Sequence, residues 1–239
     1  MQRFLELAVP APDIQASLAF YETLGFTQAR VGETWGHSYA VVSDGRLLLG
    51  LHGGVFEDIT PVFVHTGLRA WHRELARLGL RAEEAQLDAD SLNRVLLRDT
   101  DGGPVLLVEA RTYSPPPGDP VRSRLGFFGD YVLPTHDLAA ARRFWDALGL
   151  MEGWQGETPQ PWSRFTGSEI SLGLHESATV LPGLAFYEDD MAGRIEALLR
   201  DGHPVRRPGR RQTLAHCLGM LEAPEGTVLY LCDEAGWQD

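Results

Sequence analysis

Two acids stand among apolar residues on segments that read as strands. Glu6 interrupts the run Phe4-Leu5-Glu6-Leu7-Ala8-Val9, and Asp130 interrupts Gly129-Asp130-Tyr131-Val132-Leu133. A carboxylate on the inner face of a strand loses its hydration, so it needs water, an arginine, a metal or a ligand's donor to meet it. Aromatic residues fall on strands expected nearby: Tyr39 and Trp162 at matching places, and Tyr230 on the last strand. Flat side chains with a polar edge suit a planar organic ligand. Glu6, Tyr39, Asp130, Trp162 and Tyr230 are therefore the expected ligand-binding set. The second group, which also has Tyr187, is the more polar and aromatic of the two candidate pockets.

Histidine offers less. His52 and His175 each end a Leu-Gly-Leu-His run and are expected to cap the exposed end of a strand, with the alternative that they reach inward. His37 lies close to the same region, while His65, His72, His136, His203 and His216 are scattered without ligand spacing.

The pairing of these candidates follows from a duplication. Pro10, Asp13, Phe20-Tyr21, Leu24-Gly25-Phe26 and Gly32-Glu33-Thr34 recur as Pro134, Asp137, Phe144-Trp145, Leu148-Gly149-Leu150 and Gly156-Glu157-Thr158. An ordered series of matches implies two copies of one folding unit. The boundaries read as 1–113 and 124–239, joined by a stiff, Pro-rich linker over 114–123.

Within each copy the elements repeat again. Leu5, Leu7 and Val9 alternate with Phe4, Glu6 and Ala8, which predicts a strand with Glu6 on one face. Pro12-Asp13 opens a helix carrying Ile14, Leu18, Tyr21 and Leu24 at helical spacing, and Gly25 closes it. Strands follow at 29–31, 38–42 and 46–52, with a tight turn at Ser43-Asp44-Gly45. The pattern restarts with a strand at 61–65, a helix at 68–78 and a hairpin of 92–97 with 105–109. The second copy repeats the plan: strands at 129–133, 162–165, 170–175 and 184–187, helices at 138–148 and 191–199, and a final hairpin within 214–232. A turn at Ala223-Pro224-Glu225-Gly226 sets Cys217 opposite Cys232, as free thiols. The fold class is α+β, built from tandem βαβββ modules.

Composition removes several functions. The chain has 239 residues, a net charge of −12 and no apolar run long enough to span a membrane, so neither nucleic acid nor an anionic membrane is an expected partner. Absence of an N-terminal apolar stretch points to a cytoplasmic location. All 21 basic residues are arginine, which excludes Schiff-base chemistry and a P-loop lysine. The basic run at 206–211 is read as a solvated loop, with anion binding as its alternative.

The Pro-x-x-Asp, Phe-Tyr or Phe-Trp, Leu-Gly-Phe or Leu-Gly-Leu signature, followed by an Asp-x-Asp-Gly hairpin, resembles the vicinal oxygen chelate superfamily, which includes glyoxalase I, bleomycin-binding proteins and extradiol dioxygenases. The resemblance implies two cup-shaped mixed sheets with helices outside. It also implies a divalent metal held by His, His and Glu on three strands. The matching positions here are Glu6, Thr60 and Leu106 in the first copy and Asp130, Gly183 and Tyr230 in the second. One carboxylate per copy does not hold a catalytic metal. The expected function is binding of a small organic molecule, with no metal and no other cofactor, as in the resistance proteins of that superfamily. The alternative is a metal-dependent lyase, isomerase or extradiol-type dioxygenase whose ligands have moved to Glu6, His52, Asp130 or His175. A monomer with pseudo-dimeric halves or a homodimer fits either reading.

Overall fold

Alternating faces and matched caps build the same pieces twice. The computed structural model describes residues 2–29, 35–88, 92–110, 123–167, 169–209 and 214–234. Strand β1 (Gln2–Pro10) leads into helix α1 (Ile14–Thr23), where the Asp13 carboxylate accepts the Ala16 N–H at 3.0 Å and Gly25 leaves the helix at φ 87°. Further on, β9 (Phe127–Thr135) leads into α3 (Leu138–Ala147), where Asp137 accepts the Ala140 N–H at 2.8 Å and Gly149 turns at φ 89°.

The remaining strands of the first sheet are β2 (Thr27–Gln28), β3 (Tyr39–Ser43), β4 (Leu48–His52), β5 (Thr60–His65), β6 (Ala82–Gln86), β7 (Arg94–Arg98) and β8 (Pro104–Glu109), with helix α2 (Leu68–Arg77) after β5. Its order is β2-β3-β4-β1-β5-β8-β7-β6. The second sheet contains β9, β10 (Met151–Gly156), β11 (Trp162–Thr166), β12 (Ser171–Glu176), β13 (Gly183–Glu188), β14 (Cys217–Glu222) and β15 (Val228–Asp233), with helix α4 (Met191–Arg200) after β13. Its order is β10-β11-β12-β9-β13-β15-β14. In each sheet the first long strand is central and pairs parallel on one side, antiparallel on the other. These are two open mixed sheets, an α+β architecture. No helix among the described residues is long and apolar enough to cross a membrane.

One apolar cluster runs through both halves. It gathers Leu7, Val9, Tyr21, Leu24 and Leu49 from the first half with Phe128, Trp145, Leu172 and Phe186 from the second. Phe26 and Phe186 meet edge to face at 6.2 Å. The opposite faces form two smaller clusters, Ala8, Val62, Val64, Leu106 and Val108 in the first sheet and Val132, Ala185, Tyr187, Met220, Tyr230 and Cys232 among others in the second. Cys217 and Cys232 are directly opposite, and both are free thiols.

Several sequence expectations need correction. A bulge between Phe4 and Glu6 reverses the start of β1, so Phe4 joins the large core and Leu5 turns to the other face. The second copy has the same irregularity between Phe128 and Asp130. The edge strands β6 and β10 escaped the sequence reading because nearly every residue in them is exposed, leaving no alternation to detect. The strand expected at 29–31 is β2, two residues earlier; residues 30 and 31 lie outside the described residues, as does the linker except Ser123.

Polar contacts also join the halves. Glu225, in the turn between β14 and β15, accepts hydrogen bonds from the Ser17 and Tyr21 hydroxyls of α1, both at 2.7 Å. Tyr21 is fully buried, so loss of its acceptor strands a hydroxyl without water. Glu225→Ala is expected to cost about 2–4 kcal/mol in urea unfolding, and Tyr21→Phe, which removes donor and desolvation together, distinctly less.

Candidate functional site

The first cup is organised around the buried Glu6 carboxylate. On β1 it lies opposite Val62 of β5, which in turn lies opposite Leu106 of β8. On its other side runs β4 in parallel, with Gly50 level with Ala8 and His52 level with Pro10. A Cβ on Gly50 would come within 2.5 Å of His52 Nε2 and 2.6 Å of Glu6 Oε2. Glycine at this position is what lets acid and imidazole meet across the strand pair.

That contact is the first of a series. His52 Nε2 lies 3.1 Å from Glu6 Oε1, and Trp35 Nε1 donates to the same oxygen at 2.9 Å. His52 Nδ1 lies 2.8 Å from His37 Nε2. A carboxylate only accepts, so a neutral His52 carries its proton on Nε2 and leaves Nδ1 as an acceptor. His37 must then donate from Nε2, which leaves its own Nδ1 with a lone pair. Tyr39 stacks on the His52 ring at 5.5 Å and 6°, and Phe56 meets it at 4.7 Å, so the buried imidazole is held on both sides. Desolvation, and after it any positive charge on His52, lowers the pKa of His37 against an opposing pull from Glu6. His37 is neutral at pH 7.

A cavity of about 620 Å³ opens beside this series. Trp35, His37 and Phe56 line it on one side, and Arg94, Leu96 and Arg98 of β7 on another. Arg98 is paired with Glu83, whereas Arg94 has no ion-pair partner among the described residues. A cleft of about 580 Å³ between the halves is acidic, and three of its five acids are occupied structurally: Asp101 by Thr135 and His136, Asp99 by the Asp101 and Gly103 N–H groups, Glu225 by Ser17 and Tyr21.

The second cup solves the same problem differently. Asp130, one carbon shorter than Glu6, meets a guanidinium: Arg164 Nε lies 3.1 and 3.0 Å from its two oxygens, and Nη2 lies 2.9 Å from Oδ2. Arg164 pairs with Gly173 of β12 just as Val41 pairs with Gly50 in the first sheet. Its guanidinium lies 5.6 Å from the Trp162 ring, 5.9 Å from Tyr187 and 6.0 Å from Trp154. The Tyr187 hydroxyl donates to Asp130 at 3.3 Å. Burial pushes the Asp130 carboxyl above its ordinary value, and Arg164 opposes the shift. What remains is a space of about 140 Å³.

The five expected residues thus part company. Glu6 and Tyr39 belong to the first cup, the one at the edge of the His52 ring and the other on its face. Asp130 and Trp162 belong to the second, joined through Arg164. Tyr230 is fully buried, its hydroxyl held by the Leu181 carbonyl at 2.8 Å and N–H at 3.1 Å, and it lines none of these cavities. The larger space lies in the first cup, because Arg164 and its aromatic neighbours fill the second. His52 is not an exposed strand cap either: it points inward, fully buried. Trp35 and Arg164 were not expected at the site, and His37 was expected only near it. The Leu-Gly-Leu-His repeat was the available signal, since its glycine marks a close approach.

No protein-family model matches the chain, and no curated protein matches its sequence. Solved structures do. Catechol 2,3-dioxygenase superposes with TM-score 0.60 at 16% identity, over 96% of this chain and 87% of that one. The 2,2',3-trihydroxybiphenyl 1,2-dioxygenase of Sphingomonas wittichii RW1 gives 0.63 at 16%, over 97% and 90%. The Mn(II)-bound glyoxalase of Novosphingobium aromaticivorans gives 0.61 at 15%, over 98% and 83%. The chain shares the fold of these dioxygenases and this glyoxalase.

The metal associated with that fold does not suit the residues present. Strand register makes the cup rows Glu6-Val62-Leu106 and Asp130-Ala185-Tyr230, so the middle positions are Val62 and Ala185, each two residues along from the expected Thr60 and Gly183. The first row offers one carboxylate already accepting two hydrogen bonds. In the second, a guanidinium covers the carboxylate where a cation would coordinate. Among the described residues no group of three or more His, Cys, Asp or Glu is arranged to hold a metal ion.

Two predictions follow from the second cup's charge balance. Arg164→Met leaves Asp130 buried and unpaired and is expected to cost about 3–5 kcal/mol in urea unfolding, most of it recovered in Asp130→Leu/Arg164→Met. His175 has its Nδ1 buried without a partner, and burial followed by the Arg164 charge lowers its pKa to about 3. The unfolded chain binds this proton below about pH 6.5 and the folded one does not, so stability falls as pH drops from there toward 3. Urea titrations at pH 6.5 and 5 should differ by about 1–2 kcal/mol more in the native protein than in His175→Phe.

Proposed function

We propose that this protein binds a small planar organic anion in its first cup and does so without a divalent metal. The observation that carries the reading is the open cavity, walled by Trp35 and Phe56 and bordered by Arg94, which has no ion-pair partner among the described residues although Glu57, Asp58 and Glu84 also line the space. Aromatic walls supply contact area to a flat ring, and a guanidinium supplies a partner for a carboxylate or oxyanion. The neighbours named for catechol and trihydroxybiphenyl substrates lend support, since both are flat, oxygenated rings. The second cup, closed by the Asp130–Arg164 pair, stabilises the structure rather than receiving a ligand.

The test is a fluorescence titration with 4-nitrobenzoate, whose nitroaromatic ring quenches a nearby indole. Saturable quenching is expected, unchanged by a strong chelator and largely absent in Trp35→Phe. Arg94→Ala should weaken binding about tenfold, equivalent to roughly 1.4 kcal/mol. Binding that vanishes with the chelator, or that ignores both substitutions, overturns the reading.

A further inference from the structure

We propose that the Glu6–His52–His37 series makes the first cup a proton-transfer site, in which His37 takes the proton of an acidic hydroxyl on the bound ring. The proposal rests on the binding reading above and adds the ligand class, a phenol or enol, together with its protonation state. His37 is the catalytic residue; His52 and Glu6 position it and share the charge.

The geometry fixes the direction. Glu6 Oε1 orders the His52 tautomer through the 3.1 Å contact, and His52 Nδ1 orders His37 through the 2.8 Å contact. The only ring nitrogen left without a hydrogen bond in this series is His37 Nδ1, and His37 is the member that lines the cavity. In the transfer, the ligand O–H bond breaks and an N–H bond forms at His37 Nδ1. The positive charge on His37 is met by His52, whose Nε2–H leans further on the Glu6 carboxylate. No electrons change hands, and the oxyanion produced shares its cavity with Arg94. Preorganised partners of this kind stabilise charge only as it develops.

The second cup provides an internal comparison. His175 occupies the place of His52, but its Nδ1 has no hydrogen-bond partner among the described residues. The acid there turns to Arg164 instead. The series is therefore not a by-product of the fold. Besides Tyr39, the ionisable groups around His37 in the cavity are Glu57, Asp58, Glu83, Glu84, Arg94 and Arg98. Glu83 and Arg98 neutralise each other.

The probe is 4-nitrophenol, whose phenolate is yellow and whose neutral form is not. At a pH about one unit below the phenol's own pKa, the native protein is expected to raise the bound phenolate fraction saturably, to about tenfold the phenolate-to-phenol ratio in buffer. His37→Gln should still bind 4-nitrobenzoate yet leave the bound phenol neutral. His52→Gln, which keeps His37 but removes the imidazole that links it to Glu6, should lose most of the effect. A phenol that binds but stays neutral in the native protein, or an effect untouched by His52→Gln, overturns the proton transfer while leaving the binding reading intact. Failure of both probes to bind overturns the two together. Nitrogen-15 histidine spectra of the native protein give a check independent of variant folding: a His37 tautomer protonated at Nδ1 instead of Nε2 contradicts the proposal.

Discussion

Each sheet is built around an acid that cannot be left alone. Glu6 and Asp130 occupy the central strand on the concave face, where burial removes the water that would hydrate them. Each must acquire donors from the neighbouring strands, and the choice of donor decides what the cup becomes. Imidazole leaves one nitrogen to pass the interaction outward. Guanidinium, gripping with two nitrogens and spread across aromatic faces, ends it.

This divergence turns on small changes in equivalent places. Val41 in one copy corresponds to Arg164 in the other, and Glu6 to Asp130. Shortening the acid by one carbon withdraws it from the histidine, and the arginine across from Gly173 takes over. Both glycines keep the concave surface clear of a Cβ, at Gly50 for the acid–imidazole contact and at Gly173 for His175, whose Nε2 lies 3.0 Å from where that carbon would be. The duplicated chain therefore contains a pocket and a filled counterpart made from nearly the same parts.

Much of the fold was legible because its determinants are local. Asp13 and Asp137 cap helices, Gly25 and Gly149 end them, and the facing of Cys217 and Cys232 followed from the position of one turn. The edge strands β6 and β10 carried no pattern because they bury almost nothing. The acids were legible as misplaced charges, but their partners were not. Arg164 comes from a strand two removed from Asp130, and His37 from a loop that meets His52 only after β3 and β4 pair. Such contacts depend on register, and the bulge near Leu5 shows how one residue can turn a side chain to the opposite face.

The contact of Glu225 with α1 bears on how the chain is made. Ser17 and Tyr21 leave the ribosome 208 and 204 residues ahead of their acceptor. Phe26 likewise waits for Phe186. Until the final hairpin emerges, the first helix has an unsatisfied tyrosine hydroxyl and part of its apolar surface uncovered. Completion of the first half is thus tied to synthesis of the second, and a chain released early would keep that face open to other proteins.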